Sequence, residues 1–427
     1  MGKLQVALDF VDLSRALRAA DAAVEGGADI LEAGTPLIKS EGLNVVRQLK
    51  SRFASVPVVA DMKTMDAGRT EVESAAKAGA RVVTVLGLAS ASTLEECAQA
   101  GRNYGVEIAV DLLGVREPVE LAKWCEAAGI HEVGVHTSID DQMRGADPFA
   151  TLRAVREAVS IRVGVAGGIN SETAAEAAEA GADIIIVGGA ITKASDVAEA
   201  TRLMKMVIES RRSVKSNLFR RASAEDAVEM LLKVSTPNIS DAMHRTGDLR
   251  GLARMAGAGR FVGRAVTVRT YPGDWAKPVE AIDTAGPDEV IVVDSGGAPV
   301  AVWGELATES CRQRRIKGVV IDGAVRDIDD IRKMDFSVWA RHLSPTAGEP
   351  KGFGEINIPV RVGGVEVEPG DWLVGDDTGI VRIPRARLVE ITNRAMDCLE
   401  RENRIREEIR EGSTLSAVTE LLRWEKK

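Results

Sequence analysis

The chain has 427 residues, 45% of them hydrophobic, and 64 acidic against 55 basic side chains give it a net charge of −9. That length predicts at least two domains with sizeable cores, and the mixed, mildly acidic charge excludes nucleic acid as the main partner, which would need a basic face. The start, "MGKLQVALDF", lacks a signal-type apolar core, no apolar run approaches about 20 residues, and the four cysteines show no CxxC spacing, so no membrane, disulfide framework or zinc site is expected and a cytoplasmic location is.

Eight short apolar runs come first: 4–10, 28–34, 57–63, 81–87, 107–114, 131–137, 161–168 and 182–190. Ala-rich segments that read as helices lie between them. Several end in Gly just before the next run, as in "AAKAGAR" and "AAEAGAD". Gly supplies the left-handed residue that closes a helix. Near-continuous apolar strands alternating with helices predict a parallel sheet covered by helices, and eight units predict a (β/α)8 barrel over 1–210. An open doubly wound sheet is the other α/β candidate; nothing like GxGxxG follows the first strand to support it.

The basic stretch "RRSVKSNLFRR" (211–221) reads as linker surface, and a linker is placed at 211–222. A second α/β domain with mixed sheets is expected over 223–427. "SAEDAVEMLLKV" (223–234) reads as a helix with Ser223 as N-cap. Strand-like runs follow at 263–270, 288–297, 317–325 and 358–384, the last rich in turns and so antiparallel or mixed. A charged helix, 387–412, follows them.

Barrel enzymes work at the C-terminal ends of their strands. The polar residues there are Asp9, Glu32, Asp61 and Lys63 with Asp66 in the next loop, Asp111 and His136. Strands 7 and 8 end in Gly167-Gly168 and Gly188-Gly189. Residues 61 and 63 are two apart, so both side chains face the interior. An unpaired charge there is costly, and pairing Lys63 with Asp61, Asp9 or Asp111 reduces that cost. A structural ion-pair cluster would explain the charges alone. It would not explain the paired glycines, which let backbone N–H groups approach an anion and suggest a phosphate site, although turn glycines are the plainer reading of either pair. Glu32 and Asp61 suit a hard cation such as Mg²⁺. His136 is a candidate general base, or else a hydrogen-bonded histidine of the mouth.

"DMKTMD" (61–66) matches the Asp-x-Lys-x-x-Asp motif of the orotidine-monophosphate-decarboxylase superfamily. "EAGTPLIKSEG" (32–42) and "VGVHTSIDDQMRG" (133–145) narrow the resemblance to 3-hexulose-6-phosphate synthases across residues 3–210. The sister 3-keto-gulonate-6-phosphate decarboxylases tend to carry Arg after the histidine, where this chain has "HTSIDDQ". The resemblance implies a reversible aldol reaction joining ribulose 5-phosphate to formaldehyde, with Mg²⁺ or Mn²⁺ held by Glu32 and Asp61. It implies that Lys63 supports the oxyanion, that His136 moves the proton at C1, and that Asp66 reaches a neighbouring subunit's site in a barrel dimer.

In the second half, "WGELATESCRQRRIKGVVIDGAVRD" (303–327), "STPNISDAMHRTG" (235–247) and "DSGG" (294–297) resemble the RraA-like family over about 223–400. Arg326 beside Asp327 offers a fork for a carboxylate and an oxygen for a cation; a structural salt bridge is the alternative. Family aldolases carry Asp-x20-Arg-Asp; here Glu305 takes the place of that first Asp. The resemblance implies a metal at Asp327, a 2-oxo acid on Arg326, and its carboxylate on N–H groups near Leu306 and Ala307. It equally implies two non-catalytic roles: binding an RNA-degrading enzyme, or oligomerisation, since relatives form trimers or hexamers.

Overall fold

The computed structural model describes residues 2–419. The chain divides into two compact units, the first ending at Arg221 and the second beginning at Ala222.

In the first unit, β1 (Lys3–Leu8), β2 (Ile30–Ala33), β3 (Val58–Thr64), β4 (Val82–Leu86), β5 (Glu107–Asp111), β6 (Glu132–His136), β7 (Arg162–Ala166) and β8 (Ile184–Val187) form a closed barrel. Neighbours run parallel in sequence order and β8 returns to β1. All eight apolar runs are strands, because each segment is buried against both the interior and the helix ring. The helix before β4 ends at Ala78 and Gly79 follows at φ 101°; Gly181 before β8 has φ 88°. A Cβ would be strained at both, which is why Gly punctuates the repeat.

The barrel interior is layered. Ile30, Val59, Val82, Ala109 and Ile184 form a buried apolar layer. Two residues further along four of those strands stand Glu32, Asp61, Thr84 and Asp111. The period of two puts them on the same inner face, one layer nearer the mouth. At the opposite, N-terminal ends of the strands, the buried Glu132 accepts from Arg162 Nε at 3.3 Å, and Arg162 also pairs with Glu107. Burial pushes the Glu132 carboxyl up to about 7 against the pull of Arg162. The main core of this unit fills the space between the barrel and its helices.

The second unit contains a nine-stranded mixed sheet. Its strands in chain order are β9 (Ala253–Ala256), β10 (Phe261–Thr270), β11 (Glu289–Asp294), β12 (Ala301–Trp303), β13 (Gly318–Val325), β14 (Ser337–Leu343) and β15 (Gly354–Ile356), then, after a separate antiparallel pair β16 (Val360–Val362) and β17 (Val365–Val367), β18 (Trp372–Asp376) and β19 (Gly379–Ile383). The path is β19-β18-β10-β11-β13-β14-β9, with β12 on β13 and β15 on β10. β10, β11, β12, β13 and β14 run parallel; β9, β15 and β18 run antiparallel to them, and β19 antiparallel to β18.

The expected helix at 223–234 is shorter, Ala227–Leu231, and Ser223 does not cap it. Ser223 instead donates from its N–H and hydroxyl to Asp226 Oδ1, at 2.6 and 3.0 Å. The carboxylate is the stronger local acceptor, so it closes its own turn before the helix begins. The charged helix runs Leu388–Arg410. Among the described residues no helix is long and apolar enough to cross a membrane.

Candidate active site

Asp61 is the hub of the barrel mouth. It is 5% exposed, and its partners come from its own strand end and from those on either side. Lys63 Nζ donates to both its oxygens, at 3.0 and 2.8 Å. Thr84 of β4 donates to Oδ1 at 2.6 Å, and Thr35, just past β2, donates to Oδ2 at 2.7 Å. Lys63 also donates to Asp111 Oδ2 at 3.1 Å, and that same oxygen lies 3.0 Å from His136 Nδ1. Asp61, Lys63, Asp111 and His136 therefore form one connected array from β3, β5 and β6.

The array fixes protonation states. Burial opposes the charge on Lys63, but Asp61 and Asp111 outweigh it and hold the ammonium above its ordinary range. Burial likewise opposes ionisation of Asp111, but the His136 bond and Lys63 bring its carboxyl below the ordinary range. An ionised carboxylate only accepts, so His136 Nδ1 carries the proton. That leaves Nε2 as the nitrogen able to take up a proton.

Lys63 reaches this position on a left-handed backbone, φ 46°. The β3–β4 register shifts between Ala60 and Thr64, and the Lys63 N–H is taken by Thr84 Oγ1 at 3.3 Å instead of a ladder partner. The inward direction of residues 61 and 63 follows strand alternation, but a bulge delivers the lysine. A left-handed non-glycine residue costs about 1–3 kcal/mol and persists where the surroundings fix it.

Two more carboxylates complete the mouth. Glu32 is buried and accepts from Gln5 Nε2 at 2.6 Å. Burial, then Asp61 and Asp9, push its carboxyl well above the ordinary range. Asp9 is open to solvent on one side and ringed by protein on the others. Desolvation and then Asp61 raise its carboxyl, while Lys63, His136 and Lys193 pull it down. Asp9 sits between two glycines: a Cβ at Gly34 would stand 2.1 Å from its Oδ1, and one at Gly188 3.5 Å from its Oδ2. Gly34, Thr35, Thr84 and Gln5 are residues that sequence reasoning missed. The only signal for Gly34 and Thr35 was their place in "EAGTP"; Thr84 and Gln5 lie inside apolar runs with no motif.

Glu32 and Asp9, each raised by burial and by Asp61, crowd a mouth that suits a divalent cation. Among the described residues no three His, Cys, Asp or Glu side chains converge into a protein-only cage. Mg²⁺ commonly takes one or two carboxylates and fills its octahedron with water and substrate oxygens. Glu32 and Asp61 are the candidate pair.

Gly167 and Gly168 follow β7 at φ 110° and 72°, and a Cβ at Gly167 would stand 2.6 Å from Thr137 O. Gly188 and Gly189 follow β8. Asp66 is exposed, and its Oδ1 accepts the Ala67 N–H at 2.7 Å; its described contacts do not include the Asp61 array.

In the second unit the structure gathers Glu305, Leu306, Ala307, Arg326 and Asp327. Asp327 follows β13 on a left-handed backbone, φ 56°, and its Oδ2 accepts the Glu305 N–H at 3.2 Å and lies 3.3 Å from Arg326 Nε. A Cβ at Gly304 would stand 2.5 Å from that oxygen. The link to Glu305 runs through its backbone. Glu305, Leu306 and Ala307 open the helix Glu305–Gln313, whose first N–H groups lack helical partners. Leu306 is 81% exposed. Asp322 lies elsewhere on β13 and serves the fold. It is buried, and it accepts from Arg341 Nε at 2.6 Å and from the Gly363 N–H at 2.8 Å.

Residues 2–204 match the family described as orotidine 5'-phosphate decarboxylase / HUMPS, and residues 236–382 match the family described as RraA-like, Aldolase/RraA. The chain is similar to the 3-hexulose-6-phosphate synthase of Bacillus subtilis (strain 168), 36% identical over 207 residues, which are 48% of this chain and 98% of the relative. It is 39% identical over 201 residues to that of Methylomonas aminofaciens, 47% of this chain and 96% of the relative. Among solved structures, the 3-hexulose-6-phosphate synthase from Salmonella typhimurium is 36% identical, covering 49% of this chain and 100% of that one, with a TM-score of 0.48.

Proposed function

The chain belongs, through residues 2–204, to the orotidine 5'-phosphate decarboxylase / HUMPS family and is a lyase of the 3-hexulose-6-phosphate synthase type; from that premise we propose that its barrel joins ribulose 5-phosphate to formaldehyde, reversibly, giving a 3-hexulose 6-phosphate. The observation that carries the proposal is the Asp61–Lys63–Asp111–His136 array, which places one basic nitrogen and one fixed ammonium at the same mouth.

In the forward direction His136 Nε2 takes a proton from C1 of the sugar, leaving an enediolate. Asp111 holds the ring and stabilises the imidazolium that results. Lys63 stands ready beside the developing oxyanion, and its ammonium needs no reorganisation because Asp61 and Asp111 already hold it. The C1 carbon attacks formaldehyde, a carbon–carbon bond forms, and the new alkoxide takes the proton back from His136. Glu32 and Asp61 would hold Mg²⁺ or Mn²⁺, which supplies Lewis-acid stabilisation of the enediolate oxygens. Gly167, Gly168, Gly188 and Gly189 would present backbone to the sugar phosphate. Asp66 would serve the neighbouring subunit of a dimer. The test is formaldehyde loss on mixing the protein with ribulose 5-phosphate and Mg²⁺. Intact formaldehyde with 3-keto-gulonate 6-phosphate consumed instead would transfer the barrel to the sister decarboxylase activity.

For the RraA-like unit the reading is a metal-dependent aldolase or decarboxylase on a small 2-oxo acid. The support is the meeting of Arg326, Asp327 and the Glu305 N–H at the start of the helix Glu305–Gln313. Arg326 would bind the 2-oxo acid, the helix N–H groups its carboxylate, and Asp327 the cation. Pyruvate release from oxaloacetate and 4-hydroxy-2-oxo acids, lost in Arg326→Ala, is the expected result. Equal rates in both proteins would leave oligomerisation or protein binding as the unit's role.

A further inference from the structure

We propose that residues 214–221 are a strap that completes the phosphate-binding end of the barrel, with Phe219 as the positioning residue for the Lys193 ammonium. The inference rests on the barrel's acting on a sugar phosphate and adds to it a binding wall made by the segment that ends the first unit.

The strap is seated on the loops that follow β7 and β8. The Val214 N–H donates to Ser171 O at 3.0 Å, and the Ser216 and Ser171 hydroxyls meet at 2.6 Å. Ser171 is 1% exposed and Ser216 is half-buried, so this joint is partly shielded from solvent. Val214 and Leu218 pack against the barrel's apolar core. The Arg220 guanidinium lies 4.0 Å from Glu172. The segment thus makes backbone, hydroxyl, apolar and ionic contacts with one end of the barrel, where a passive tether would make few.

Phe219 arrives at the second glycine pair. Its Cδ1 lies 3.3 Å from where a Cβ of Gly189 would stand. Lys193 Nζ sits 3.9 Å from the ring centroid and Arg221 Cζ 4.9 Å from it. An aromatic face attracts a cation through its quadrupole and restricts a long, flexible side chain. Here it holds two like charges near each other at the end of β8. A Cβ of Gly189 would stand 3.2 Å from Lys193 Cδ, and one at the neighbouring Gly188 3.5 Å from Asp9 Oδ2, so the lysine stem lies beside the mouth. A sugar phosphate carries up to two negative charges and would be attracted to cations held in this way. The family match ends at residue 204, before the strap begins, so this wall lies outside what the chain shares with that family over its matched length.

The test compares Phe219→Leu, Phe219→Trp and Lys193→Met in the full chain. Leu keeps the apolar packing and removes the aromatic face. Phe219→Leu is expected to raise KM for ribulose 5-phosphate about fivefold and to weaken competitive inhibition by inorganic phosphate equally, with kcat changed by less than about twofold. Phe219→Trp restores both. Lys193→Met has the same signature, and adding Phe219→Leu to it changes less than that substitution does alone, because the ring acts mainly through the lysine. Unchanged KM and phosphate inhibition in Phe219→Leu would overturn the proposal, as would full additivity of the two substitutions. Phosphate binding is also read by calorimetry. A wild-type protein that leaves formaldehyde untouched would refute the aldol reaction, while the calorimetric difference between wild type and Phe219→Leu would still decide the strap.

Discussion

The barrel mouth and the Arg326–Asp327 turn are both constellations of charge at strand ends, and they are built in opposite ways. Asp61 is 5% exposed and held by Lys63, Thr35 and Thr84, whereas the Arg326 and Asp327 side chains are 47% and 40% exposed. A buried array of this kind contributes little net stability, since desolvation cancels much of the attraction, yet losing one partner leaves an uncompensated charge. Folding alone gives no reason to keep it, so its preorganisation is evidence for chemistry. The exposed pair costs little to maintain and is equally compatible with catalysis and with waiting for another surface. The lesson is that the burial of a charged cluster says more about its purpose than its composition does.

The largest effect should come from Lys63. Lys63→Ala is expected to lower the turnover of ribulose 5-phosphate with formaldehyde by roughly 10²–10³, and Asp61→Asn by a similar factor. Both proteins should remain folded by circular dichroism. Turnover retained with a collapsed melting temperature would reduce the mouth to a structural ion-pair cluster and erase the contrast with the second unit.

Gly34→Ala tests the geometry beneath that array. The new methyl would need the space of Asp9 Oδ1, so the carboxylate must swing out or the backbone must give, at a cost of about 1–3 kcal/mol. Activity should fall with it. Wild-type kinetics would mean that Asp9 is not positioned for the reaction.

Glu132 separates stability from activity. Its folded-state pKa of about 7 lies above the ordinary 4.5, so the folded protein holds the proton more tightly. Its contribution is fully present below about pH 4.5 and is lost as pH rises through 7, by at most about 3 kcal/mol. Glu132→Gln should remove that slope. Urea unfolding at pH 5 and pH 8 measures it, and a difference between wild type and variant that stays constant across those pH values would contradict the assignment.

The smallest effect belongs to the second unit. Arg326→Ala should change its unfolding free energy by under about 1 kcal/mol, as for other exposed pairs. A larger loss, followed by thermal unfolding, would show that the turn is structurally committed and would weaken its reading as an open binding site.

Much of this was legible in the sequence, for reasons that can be named. The eight strands announce themselves because parallel strands are buried on both faces and carry few polar residues until they emerge. Asp61, Lys63, Asp111 and His136 were visible as exceptions at those ends. Their mutual bonds were not, because strand order gives neighbours but no distances. Thr35 and Thr84 give no signal, since a threonine in or beside a strand is ordinary. The bulge at Lys63 is hidden because nothing in "DMKT" demands a left-handed lysine. Ser223 failed as a cap because Asp226 offered a better acceptor three residues on. The strap has no period of either kind, so a segment packed with Val214, Leu218 and Phe219 looks like a basic linker.

The apolar layer of Ile30, Val59, Val82, Ala109 and Ile184 has a consequence for how this barrel can change over time. It lies as a low-dielectric slab between two ionised systems, the catalytic one above and the Glu107–Arg162–Glu132 network below. Substitutions in the lower network reach the upper one only through that insulation. The floor is therefore free to drift, tuning the pH and temperature at which the barrel survives, while the mouth keeps its charges and its reaction. A lineage moving to a more acidic or hotter setting could adapt from beneath, without renegotiating its chemistry.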